Sequence, residues 1–421
     1  MRPLLATWKR YPFIGLLAAL SVAVIPASLA WTTARVFVLV VTGEMGFVTD
    51  FSYYYEAAER FVRDPLTLYP DPFGFMYPPL SVLLFLPLLA LPVPASFLLS
   101  VVGIAVLAAA CVELTIRLYE RARDERIGTP LRVTLLLIGF ATAPVFHNLK
   151  YGQVNVLVLF LGLVFLWLLQ RDRPLAAALV LSVGFWLKLY PLALCLIGLR
   201  RGWAARGAVG LVLGIVVAPL VLLPFVPAEL YRQYVFDLLP YWSGVTNTHA
   251  LNQSITGVLE HIQLPLDTYL LSRDTPVGGF ANAVNAVVLL GGLGGLYGAY
   301  FLGRLRYEVV GVAVLAVLPV VSALGWEHTY VLALPLYLYA LLEVRDRGPA
   351  AQAFVALAVL VFMIPKPPEP AMVWTFAHWP RLLVDVFYAR FLIVTLVLLG
   401  VVPVWMRTRR ATAETQRAPA A

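Results

Sequence analysis

Residues 77–92 read YPPLSVLLFLPLLALP, and whether they cross a membrane decides the side on which every later loop lies. They are apolar enough to be counted as a span. If they crossed, the loop RLYERARDERIGTPLR at 117–132, with Arg117, Arg121, Arg123, Arg126 and Arg132, would face outward. RRGWAAR at 200–206 and MRTRR at 406–410 would go with it. Cytoplasmic loops carry the excess of Lys and Arg, which opposes that arrangement. Pro78, Pro79, Pro87 and Pro92 also suit a bent segment better than a straight helix. The segment therefore reads as interfacial or re-entrant from the outer side, and all arginine-rich loops then fall inside together.

Composition requires a membrane in any case. Of 421 residues, 61% are hydrophobic and 13% charged, whereas a soluble domain carries about 25% charge. The net charge of +8 does not indicate nucleic acid, because the basic residues sit in short runs between apolar segments and form no single basic face. The apolar stretch after MRPLLATWKRYP runs from Phe13 past Ala30. It is too long for the core of a signal peptide and reads as an uncleaved first span. Cys111 and Cys195 lie in apolar runs and read as buried free thiols.

With about 20 apolar residues per crossing, spans fall near 13–41, 95–118, 131–147, 152–169, 174–188, 190–200, 207–226, 281–302, 308–325, 328–343, 350–365 and 388–407. The expected fold is an all-α polytopic membrane protein of about 12 transmembrane helices, one domain over 1–421, in a cell (inner) membrane. Both termini are cytoplasmic, with a cytoplasmic tail at 408–421. The outer side receives a first loop at 43–94 containing interfacial helices, a long loop at 227–280, and the segment 366–387. It also receives the turns around 147–153, 188–191 and 326–330. Inner loops are short and basic, while outer loops hold Asp, His, Asn, Gln and aromatic residues, so chemistry is expected outside.

Asp50 follows the first span directly and precedes a short amphipathic pattern from Tyr53 to Arg63, closed by Asp64-Pro65. The residues leave two roles open for it: a base deprotonating a hydroxyl beside the membrane surface, or the N-cap of a Phe51–Arg63 helix. Lys188, in VGFWLKLYP, is an ammonium at a polar corner, suited to a lipid-linked phosphate or to snorkelling at a helix end. HNLKYGQVN places His147, Lys150, Gln153 and Asn155 at one turn, able to bind phosphate or sugar hydroxyls, or simply solvated. Glu327 and His328 in GWEHTY form another outer turn, with His328 a phosphate ligand, a proton carrier or an ordinary interfacial ring. The amide-rich NTHALNQSITG, with Asn252 and Gln253, suits sugar binding and helix capping equally.

The ordered set VTDFSYYYEAAERF, LYPDPFGFMYPPL, KYGQVN, LVLSVGFWLKLYPLAL with a basic RRGW, LNQSITG and SALGWEHTYV resembles glycosyltransferase family 87, of the GT-C superfamily. The resemblance covers nearly the whole chain. It implies an inverting membrane enzyme that takes a sugar, most simply mannose and alternatively arabinofuranose, from a polyprenyl-phosphate donor to a lipid or glycan hydroxyl outside the cell. It implies Asp50 as the catalytic base, His328 and Lys188 as donor-site cations, and Tyr77 in the same pocket. Because the phosphate is already an activated leaving group, no metal and no cofactor is expected. A transporter or flippase of lipid-linked substrates is the competing class. It would show inverted repeats with charges at the midplane, but no repeat relates the two halves and the polar residues gather at one face.

Overall fold

The computed structural model describes residues 2–42, 49–70, 74–202, 204–265, 274–365 and 369–416. Parts of the expected loops, namely 43–48, 71–73, 266–273 and 366–368, and the end of the tail lie outside the described residues. Regular structure is overwhelmingly helical, as a chain with few solvated backbone groups requires. A short α1 (Arg2–Arg10) leads into α2 (Pro12–Thr42), the first apolar helix. The amphipathic pattern after it becomes α3 (Thr49–Arg63).

Residues 77–92 do not form a straight helix. They break into a 3-10 turn at Pro79–Ser81, α4 (Val82–Phe85) and a second 3-10 turn at Leu86–Ala90. Proline sits at the first turn of both 3-10 pieces, where its missing N–H costs nothing. At 1.5–2.0 Å per residue the stretch reaches roughly 20 Å, short of the ~30 Å hydrocarbon core. It packs instead under α3, where the Tyr54 ring stacks on Phe85 at 4.6 Å and Val82, Ala57 and Ala58 are buried.

Next come α5 (Val93–Arg123), α6 (Thr129–Phe140), α7 (Ala143–Tyr151), α8 (Asn155–Gln170) and α9 (Pro174–Leu187). The single span expected at 131–147 is in fact a bent pair, α6 and α7, meeting at 58°. Residues 190–200 are wound as a 3-10 helix, Tyr190–Arg201. A π-helical stretch joins α10 (Ala204–Leu211) to α11 (Ala218–Val221). Segment 227–280 holds α12 (Ala228–Gln233), α13 (Leu239–Gly244), β1 (Val245–Asn247), α14 (Ile255–His261) and β2 (Asp274–Pro276). The two strands pair antiparallel, with Asn247 opposite Asp274. The remainder is α15 (Gly279–Phe301), α16 (Tyr307–Val321), α17 (Leu334–Val344), α18 (Pro349–Met363), α19 (Glu369–His378), α20 (Arg381–Tyr388) and α21 (Arg390–Gln416).

Among the described residues, five helices are long and apolar enough to cross a bilayer: α2, α5, the α10–α11 unit, α15 and the first part of α21. The bent α6–α7 pair makes a sixth. The other apolar helices have 10–17 residues. Central α16 is buried on nearly every face, as a helix hydrophobic all round must be. Helices α15 and α21 both pack on it. The end of α17 is clamped to the α5–α6 connection by ion pairs: a buried one of Arg123 with Glu343, which also accepts the Tyr119 hydroxyl at 2.9 Å, and Arg345 with the part-exposed Glu125. Cys111 and Cys195 are separate free thiols.

Candidate active site

At the opposite end from those ion pairs lies a cavity of about 680 Å³, walled by α3, the 74–77 segment, α7, the ends of α9 and α13, the β1–β2 pair and the turn after α16. Among its lining residues are Asp50, Tyr54, Tyr77, His147, Gln153, Lys188, Glu327 and His328. These residues come from five separate stretches of sequence that converge on one space.

Asp50 sits in the first turn of α3, because the helix starts at Thr49, two residues earlier than the sequence placed it. Phe51 beside it is fully buried and meets Phe97 of α5 edge-on at 5.3 Å, which fixes the start of α3. The Asp50 carboxylate is hydrogen-bonded by the Gln153 side chain. Burial raises its pKa above the ordinary carboxylate range, and the Gln153 bond and the charges of Lys188 and Arg35 offset that only in part.

A hydrogen-bonded chain runs away from Asp50. Gln153 Oε1 accepts from the Tyr54 hydroxyl at 3.0 Å and from Asn155 Nδ2 at 3.3 Å. The Tyr54 and Tyr77 hydroxyls are 2.8 Å apart. Lys188, the residue after α9, donates from Nζ to Asn155 Oδ1 at 2.7 Å and lies 5.4 Å from the Tyr77 ring centre and 5.8 Å from that of Tyr190. Its ammonium is thus held by a neutral acceptor and two ring faces, and no carboxylate lies within ion-pair distance of it among the described residues.

The far wall is organised by Glu327, which is 3% exposed. Its carboxylate meets His147 Nδ1 at 3.1 Å, Gln253 Nε2 at 3.0 Å and Arg390 at 2.8 Å. The neighbouring His328 lines the cavity, and its backbone carbonyl accepts from Asn148 at 2.7 Å. Arg35, in the C-terminal part of α2, stacks on the Tyr151 ring at 5.4 Å and contributes positive charge to Asp50.

Four sequence-selected residues, Lys150, Asn155, Asn252 and Gln253, stand apart from the cavity lining. Lys150 turns to the other side of α7, with Nζ 4.6 Å from the Tyr151 ring centre and 5.8 Å from that of Trp31. Asn252 and Gln253 are fully buried. The Asn252 amide donates to the Asn247 and Ala323 carbonyls, and Gln253 Oε1 accepts the Phe391 N–H at 2.8 Å. They hold the turn after α16 against its neighbours. Asn155 sits behind the wall and acts through Lys188 and Gln153. Tyr54, Arg390 and the lining residues Trp242, Asp274 and Trp326 were not singled out from the sequence. An arginine at the end of an apolar span is the one sequence signal that could have pointed to Arg390.

Gly152 is where the chain turns between α7 and α8, at φ +68°. A β-carbon there would sit 2.9 Å from Phe51 Cβ. Gly152→Ala is therefore expected to cost about 1–2 kcal/mol for the left-handed backbone alone. It should also lower transfer activity by displacing the start of α3, measured as a lower unfolding midpoint together with reduced turnover.

The chain is thus a set of apolar helices with a polar, cation-bearing cavity at one end. The sequence matches glycosyltransferase family 87 over residues 75–324. The chain belongs to that family and is a membrane glycosyltransferase. Tyr77, Gln153, Asn155 and Lys188 fall within the match, whereas Asp50, Glu327 and His328 lie outside it. The chain is also 28% identical over 356 residues to the polyprenol-phosphate-mannose-dependent alpha-(1-2)-phosphatidylinositol mannoside mannosyltransferase of Mycobacterium tuberculosis, covering 79% of this chain and 78% of the relative.

Proposed function

We propose that the cavity is where mannose passes from a polyprenyl-phosphate donor to a hydroxyl of a lipid or glycan acceptor, on the extracytoplasmic side. The observation that carries this reading is a single cavity holding a half-buried carboxylate, Asp50, together with an ammonium, Lys188, whose donors are not consumed by an ion pair. The relative's name supports the mannosyl donor and a phosphatidylinositol mannoside as acceptor.

In the proposed reaction Asp50 removes the proton of the acceptor hydroxyl. Its oxygen bonds to the anomeric carbon, and the bond from that carbon to the phosphate oxygen breaks with inversion. Polyprenyl phosphate leaves carrying the electron pair. Lys188 and His328 receive that phosphate, the ammonium opposing negative charge that grows as the bond breaks. Tyr54 and Gln153 aim the carboxylate, since Gln153 joins it to the tyrosine pair. Tyr241, Trp242 and Asp274, from the 227–280 segment, line the same space and suit the acceptor. No step calls for a metal.

Only the ionised carboxylate accepts a proton. As the pH falls through the raised value of Asp50 the base is lost, so kcat/KM is expected to decline on an acid limb lying above the ~3.9 of an ordinary aspartate. A pH–rate profile for the purified enzyme checks this. A flat profile down to the ordinary aspartate range would count against Asp50 as base.

A further inference from the structure

Another cavity, of about 400 Å³, lies far from the transfer site. It is a groove between α15 and α21, which both rest on α16 and make few contacts with each other. One wall is Val288, Gly292, Gly295, Leu296 and Ala299 of α15. These positions recur every three or four residues and so share one helix face. The other wall is the matching face of α21 from Leu396 to Val404. Gly292 and Gly295 have open space where a β-carbon would stand, which deepens the groove.

The polar groups of the groove are gathered at one end. Arg304, just beyond α15, and Arg407 on α21 both line it there. This is the arginine-rich end of the molecule, since Arg347 stacks on neighbouring Trp405 at 4.7 Å and Arg123 reaches the Met406 carbonyl. Unlike Arg123 and Arg345, which are ion-paired, neither Arg304 nor Arg407 has a carboxylate within ion-pair distance among the described residues. From Val288 to Ala299 the helix rises about 16 Å, close to half of the ~30 Å hydrocarbon core. The groove therefore has the depth of one leaflet, apolar along its length and doubly cationic where that leaflet's headgroups lie.

We propose that this groove binds one anionic phospholipid of the arginine-side leaflet, its acyl chain along α15 and α21 and its phosphate between Arg304 and Arg407. A guanidinium matches a phosphate in shape and charge, and basic pockets between transmembrane helices select anionic headgroups on this physical basis. The occupant is not the sugar donor, whose phosphate the Proposed function puts at the opposite end of the bundle.

Native mass spectrometry of the full-length protein, titrated separately with phosphatidylglycerol and phosphatidylcholine, tests the assignment. Phosphatidylglycerol is expected to bind about tenfold more tightly. The double variant Arg304→Gln/Arg407→Gln should bring it down to the phosphatidylcholine level, while Arg121→Gln, on the same end but outside the groove, should leave the preference intact. Gly295→Leu, which fills the groove without touching either arginine, should remove the tight phosphatidylglycerol site. Equal affinity for the two lipids in the wild type would overturn the proposal. So would a preference that survives the double variant, or a tight site unaffected by Gly295→Leu.

Discussion

Asp50→Asn is expected to lower kcat by a factor of about 10²–10⁴, the usual contribution of a positioned general base, while donor binding stays near the wild-type level. The substitution keeps the shape of the side chain and an oxygen that can accept from Gln153, so the hydrogen-bonded chain through Tyr54 and Tyr77 has no reason to collapse. What is lost is the lone pair that takes the acceptor proton. The sequence left a second role for Asp50, the capping of α3, and the two roles separate cleanly. Loss of a cap costs about 1 kcal/mol of stability and leaves turnover alone, whereas loss of the base removes turnover and leaves stability alone. A single-turnover assay paired with thermal unfolding of the same preparation reads both. Undiminished transfer would sink the base assignment.

The largest effect on stability is expected from Arg390→Met. Arg390 and Glu327 are 6% and 3% exposed and meet at 2.8 Å. Methionine fills much of the same volume but leaves the Glu327 carboxylate buried with His147 and Gln253 and without its strongest cation. Removing one partner of a buried pair costs about 3–5 kcal/mol, chiefly because an uncompensated charge is stranded. The unfolding midpoint in detergent should fall accordingly. Adding Glu327→Gln to the same chain removes the stranded charge and should recover a large part of the loss. A double variant no more stable than the single one would show that the pair is not coupled. Because Glu327 directly precedes His328, transfer should also weaken in the single variant.

Much of this arrangement was legible in the sequence, for identifiable reasons. Charge bias across the loops and the prolines of 77–92 pointed to a bent segment, and the structure breaks it at those prolines. Asp50, Tyr77, Gln153, Lys188, Glu327 and His328 stood out because polar groups beside apolar runs are costly, and all six line one cavity. Adjacency in sequence failed where the backbone turns. Lys150 and Gln153 are three residues apart, but the left-handed turn at Gly152 sends them to opposite sides of α7. Asn252 and Gln253 have the composition of a sugar-binding loop and serve as internal ties, a difference that depends on which carbonyls lie above them. Tyr54 looked like one of three similar tyrosines, and only the pitch of α3 selects it. The count of spans was the hardest feature to read, because α8, α9, α16 and α18 are apolar helices of only 10–17 residues, and apolar length alone does not describe them.

The central claim is that sugar moves from a lipid phosphate to an acceptor within the Asp50 cavity. Purified protein in proteoliposomes, given polyprenyl-phosphate mannose and a phosphatidylinositol mannoside, tests it directly. The account predicts mannose on the acceptor and free polyprenyl phosphate in equal amounts, with both products formed about 10²–10⁴-fold more slowly by Asp50→Asn. Passage of the intact donor from one leaflet to the other with no mannose transferred would contradict it.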